Sequence, residues 1–124
     1  MSPKTAATGF AVSRVVFGLG LVLAPGRAGA SWIGRKAAAR PQTQVFARAL
    51  GARDVVLGAG ALRALRRDER DVARLWVMGA AVADGTDVLA ALAARRHLPS
   101  TLLAFVLVAA TAYTAVNAWS AKAL

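Results

Sequence analysis

The chain contains no cysteine, which excludes both a disulfide framework and a thiolate metal site. Histidine occurs once, as His97 in a basic stretch, which excludes a histidine metal spacing and reads as a solvated loop residue, and no serine-histidine-acid grouping is present. Acidic residues are scarce: 6 Asp and Glu stand against 16 Lys and Arg, for a net charge of +10. Aromatic residues make up only 6% of the chain and do not interleave with the basic ones, as they do in single-strand nucleic-acid binders. No nucleic-acid partner is therefore expected. A glycine-rich phosphate cradle is also missing, so the sequence names no cofactor.

What the chain has is apolar residues, at 57%, above the roughly 45–50% of ordinary soluble domains. Its 124 residues leave room for a single domain, 1–124. Four apolar segments stand out, at about 5–24, 45–65, 72–94 and 99–120. The last carries no charge from Pro99 to Ser120 and is apolar all round, enough to cross a bilayer of about 30 Å. A soluble bundle needs a polar stripe on every helix, which this segment lacks. Pro25-Gly26 stops the first segment, and short charged turns separate the second, third and fourth. The expected fold is all-α, a four-helix transmembrane bundle running up-down-up-down. Ala28-Gly29-Ala30 looks like a signal-peptidase site, but Arg14 interrupts the preceding apolar run, so an uncleaved first span is expected.

The first connection is long for a bundle turn. Within it, residues 31–40 can form an interfacial helix, with Trp32 and Ile33 at the acyl boundary and Arg35, Lys36 and Arg40 on anionic lipid headgroups. A solvated basic loop is the other reading. Trp32, Trp76 and Trp119 sit near segment ends, where interfacial tryptophans collect. Lys and Arg divide almost evenly between the two sides, and the crowded turn of Arg63, Arg66, Arg67, Arg70 and Arg74 tips the expected N-terminus to the cytoplasmic side of the cell membrane.

Six charges lie inside these apolar segments: Arg14, Arg48, Arg53, Asp54, Asp84 and Asp87. Arg53 and Asp54 together cost about 5–7 kcal/mol at mid-bilayer if unpaired, more than the roughly 3–5 kcal/mol their segment's larger apolar residues return. That segment depends on partners. At about 1.5 Å per residue, Arg14 lies roughly 12 Å deep, Arg53, Asp54 and Asp84 roughly 17–18 Å, and Asp87 roughly 22 Å. A midplane cluster of Arg14, Arg53, Asp54 and Asp84 follows, with Asp87 one turn away. Counted alone, the cluster has one unmatched negative charge, which a proton, a cation or Arg48 can balance. Asp84 and Asp87, three residues apart, are also the spacing of a divalent-cation pair, but no second acidic cluster accompanies them and no metal is expected. Tyr113 and Asn117, with Thr111 and Thr114, add polar groups to the fourth helix. They read as bundle-packing hydrogen-bonders or as pocket lining.

A short internal match relates two of these charges. Residues Arg14-Val15-Val16-Phe17-Gly18-Leu19-Gly20 align with Asp54-Val55-Val56-Leu57-Gly58-Ala59-Gly60, placing Arg14 opposite Asp54. On antiparallel helices the pattern presents complementary charges beside matched glycine faces, as inverted repeats do in transporters.

The set Ser13-Arg14, Gly18, Ala24-Pro25, Trp32-Ile33-Gly34, Gly51-Ala52-Arg53-Asp54-Val55-Val56-Leu57-Gly58 and Ala83-Asp84-Gly85-Thr86-Asp87 resembles small four-helix membrane proteins of actinobacteria whose function is unknown. It is loosely similar to the DoxX-like group, which also carries an arginine before a glycine in its first helix. The resemblance implies a compact four-span protein and assigns no catalytic residue. Small multidrug exporters match in length, yet the acidic residue they use in the first helix is missing here. The expected function is that of a small multi-pass protein whose buried Arg/Asp cluster organises the bundle; the cluster reads either as purely structural salt bridges without a ligand or as the wall of a pocket for a lipid-like or polar small molecule. An oligomeric proton-coupled transporter or channel, or a membrane enzyme using an aspartate as general acid or base, are the alternatives.

Overall fold

A computed structural model describes residues 1–124 as an all-helical chain without strands. Four long helices, α1 (Pro3–Leu23), α4 (Pro41–Arg66), α5 (Arg70–Ala93) and α6 (Ser100–Ala123), are joined by two short ones, α2 (Pro25–Ile33) and α3 (Arg35–Ala38), and by tight turns. All four prolines mark helix starts: Pro3, Pro25 and Pro41 open helices and Pro99 immediately precedes α6. There the missing N–H costs nothing and the fixed φ suits the first turn. Ser2 caps α1 by accepting from the Thr5 N–H at 3.1 Å.

The first connection is two helices rather than one. Gly34 separates them at φ 85° and ψ 153°, a conformation essentially reserved for glycine. Between α4 and α5 the chain turns through Asp68 at φ 54°. The Glu69 N–H bonds to the Ala64 carbonyl and the Asp68 N–H to that of Leu65, closing α4 with a Schellman motif.

α1 packs on α4 and α6, and α5 packs on the same two helices, so the long helices close a ring with neighbours antiparallel. The buried core is made largely of alanine: Ala7, Ala11, Ala61, Ala64 and Ala73 pack with Leu65 and Val77. Large apolar side chains point outward instead, among them Val16, Phe46, Leu75, Leu89 and Val108. A soluble bundle has the opposite arrangement; small residues within and large ones without is how membrane helices pack. α1, α5 and α6 are each long and apolar enough to cross a membrane. These three helices point to a membrane protein. α4, although the longest at 26 residues, does not join them by composition, because Arg48, Arg53, Asp54 and Arg63 interrupt it.

Candidate functional site: an Arg/Asp network at the end of an apolar cavity

Small residues bring the first pair of charges together. A Cβ added to Gly18 would lie 2.5 Å from the Gly51 carbonyl oxygen and 2.9 Å from Val55. One added to Gly58 would lie 2.6 Å from the Ala11 carbonyl oxygen and 2.7 Å from Val15. The two contacts are related by the 40-residue offset of the sequence match: 11 corresponds to 51, 15 to 55 and 18 to 58. α1 and α4 thus cross about a local two-fold axis, with backbones too close for any side chain at the glycines.

Beside that crossing, Arg14 is almost fully enclosed at 3% exposure. Its Nη1 donates to Asp54 Oδ1 at 2.8 Å, and its Nη2 donates to Asp84 Oδ2 on α5. Arg53 donates from both Nη atoms to the two oxygens of Asp87, at 3.0 and 2.7 Å, and more weakly to Asp54 Oδ1. The five residues form one chain, Asp84–Arg14–Asp54–Arg53–Asp87, that links α1, α4 and α5. Bidentate guanidinium–carboxylate geometry fixes orientation as well as charge. Asp84 and Asp87 are taken up by different arginines and do not face one common ion.

α6 joins through Tyr113. The Arg14 guanidinium carbon lies 5.1 Å from the centre of its ring, within cation–π range. The Tyr113 hydroxyl shares a 2.5 Å hydrogen bond with Ser13, and Phe10 meets the ring edge-on at 4.7 Å.

The network forms the inner end of a cavity of about 600 Å³. Its walls are apolar: Phe17 of α1, Leu50 of α4, Ala90, Ala91 and Ala94 of α5, and a face of α6 running through Leu102, Phe105, Val106, Ala109 and Ala110. Trp32 also lines it, stacked on Phe105 at 4.8 Å and set 6.4 Å from Phe17. Its indole N–H donates to the Ala28 carbonyl at 2.7 Å, and its own carbonyl accepts from Thr101 at 3.2 Å.

The other sequence candidates lie elsewhere. Arg48 donates from Nε to the Val22 carbonyl at 3.2 Å, capping the end of α1, and takes no part in the charge balance. Asn117 is buried one turn beyond Tyr113, with its Nδ2 unpartnered, as is Ser120 Oγ. Trp32, expected at the acyl boundary, has its ring stacked on Phe105, because the chain turns at Ala24 and Pro25 and lays α2 against α6. Trp76, expected as an interfacial anchor, is partly buried and packs across Gly60. Trp119 faces outward at 46% exposure. Arg35, Lys36 and Arg40 are exposed around α3.

The apolar half of the site was not named from the sequence. Its signal exists, as residues 102, 105, 106, 109, 110 and 113 at helical spacing, but a helix apolar on every side does not single out one face. No family model, no curated protein and no solved structure matches the chain.

Proposed function

We propose that the chain is a four-span protein of the cell membrane whose Arg/Asp network sets helix register and whose cavity holds a lipid-like, amphipathic small molecule. The observation that carries the reading is a cavity of about 600 Å³ with apolar walls and a charged inner end. Ligand sites typically measure about 300–1,000 Å³ and combine an apolar lining with a few fixed polar groups.

The fourth span is α4. Its central charges are matched by Arg14 and Asp87 on neighbouring helices, and Arg48 lies on the Val22 carbonyl. Val45, Phe46 and Val56 give it an apolar outer surface. The crowded arginines of the α4–α5 turn favour the cytoplasmic side for that turn and for the N-terminus. On the opposite side Arg35, Lys36 and Arg40 are available to anionic headgroups.

The test uses Trp32, the cavity's own fluorophore. In a Trp76→Phe/Trp119→Phe protein, amphiphiles with a brominated chain should quench the remaining emission saturably, and Ala94→Trp in a companion binding assay should abolish uptake. Quenching that rises linearly with membrane bromine content, without saturation, would mean Trp32 merely meets bulk lipid.

A second reading, proton-coupled transport, draws on the unpartnered Asn117 and Ser120, which extend the polar groups of α6 away from the cavity. It requires a pH-dependent flux in liposomes that Asp84→Asn abolishes; sealed liposomes without flux would remove it.

A further inference from the structure

The inner end of the cavity carries an excess of negative charge. Arg14 and Arg53 supply two positive charges against three negative ones on Asp54, Asp84 and Asp87. Arg48 is engaged on the Val22 carbonyl and does not correct the balance. Hydrogen bonds take up only Oδ1 of Asp54 and Oδ2 of Asp84. The second oxygen of each accepts none, although both side chains are more than nine-tenths buried and both line the cavity. Three carboxylates thus share two guanidinium groups, and an excess of buried negative charge is costly, so this end of the cavity has a place for a compensating positive group.

The surroundings indicate what kind. The face of Tyr113 already attracts the Arg14 guanidinium, and the rings of Phe17, Trp32 and Phe105 line the way outward. Aromatic faces attract organic cations and accommodate their hydrocarbon. Aliphatic side chains supply most of the remaining lining, which suits an alkyl body and not a hydrated inorganic ion.

We propose that the cavity selects amphiphiles bearing a single positive charge, with the cationic head at the free oxygens of Asp54 and Asp84 and the hydrocarbon body along α6. This rests on the ligand-binding reading of the cavity and adds the charge of the ligand.

Three probes with one tail and different heads test it: decyltrimethylammonium, decanol and decyl sulfate, titrated into the purified protein in a neutral detergent and counted by native mass spectrometry. The cation should bind at least about tenfold more tightly than decanol, a ratio equivalent to ~1.4 kcal/mol, with decyl sulfate weakest. Asp87→Asn, at the half-exposed end of the network, brings the charge count to zero and should lower the cation's affinity to that of decanol. Decanol or decyl sulfate binding the unmodified protein as tightly as the cation would overturn the charge selection and leave the cavity reading standing. Failure of all three probes to bind would overturn both.

Discussion

Arg14 of α1 and Asp54 of α4 meet at 2.8 Å from equivalent positions of two helices that share one short sequence pattern. The glycines of that pattern bring the backbones together, and the charges beside them then fall within reach of each other. The salt bridge and the close helix crossing are one feature. It makes the α1–α4 crossing depend both on glycine, which lets membrane helices approach closely, and on buried charge, which they otherwise avoid.

That dependence predicts a sharp contrast between glycines. Gly18→Ala places a methyl group against the Gly51 carbonyl and Val55, and overpacking of this kind typically costs about 1–3 kcal/mol. Gly9→Ala meets nothing within 4 Å and should be neutral or slightly stabilising. Unfolding midpoints in mixed micelles distinguish the two. Equal midpoints would mean that α1 and α4 do not approach this closely.

The network predicts rescue along its observed pairs. Arg14→Ala strands the buried carboxylates of Asp54 and Asp84, a loss of about 3–5 kcal/mol. Adding Asp84→Ala should recover part of it, with a coupling of about 0.5–3 kcal/mol, as should Asp87→Ala in an Arg53→Ala background. The crossed combination, Arg53→Ala with Asp84→Ala, joins residues with no direct bond and should recover less. Equal rescue by all combinations would show a diffuse charge effect in place of specific pairs.

These pairings also show where the sequence stopped being informative. Depth along each helix placed Arg14, Arg53, Asp54 and Asp84 in one layer, because rise per residue is fixed. Helix rotation is not fixed by depth, so depth does not choose partners: Asp87, one turn from Asp84, is held by both terminal nitrogens of Arg53, a pairing that rise per residue does not select. Arg48 was the converse case: its place near a helix start allowed either charge compensation or an outward turn, and the end of α1 decided the matter by offering the Val22 carbonyl. The long helices were legible from apolar length and proline. The cavity was not, since it arises from how α6 stands off from α4 and from the turn at Ala24 and Pro25 that lays α2 against α6.

The absence of cysteine makes topology directly measurable. Four spans put exposed Ser2 and Glu69 on one side of the membrane and exposed Lys36 and His97 on the other. Single-cysteine variants at these positions, treated with a membrane-impermeant maleimide in intact cells, should label as Lys36→Cys and His97→Cys only. Labelling of Glu69→Cys and Lys36→Cys from the same side would show that α4 does not cross.

The Lys4–Asp68 pair provides a control on what holds the bundle together. The Lys4 hydrogen bond, and secondarily its charge, hold the Asp68 carboxyl below its ordinary value of 3.8. A lowered folded-state pKa gives stability that is present above pH 3.8 and lost as pH falls through the lowered value. Both side chains are exposed, so solvent and salt screen the pair. Lys4→Ala should leave the unfolding midpoint unchanged at physiological salt and neutral pH. A drop comparable to that of Arg14→Ala would place the organising contact at the helix ends and not in the buried network.

Native mass spectrometry of the protein extracted from its membrane addresses the ligand reading most directly. The unmodified protein should retain a non-covalent adduct of lipid-like mass, and Ala94→Trp, which narrows the cavity, should lose it while keeping the same helix content. A bare polypeptide mass for both proteins, or an equal adduct on both, would contradict it.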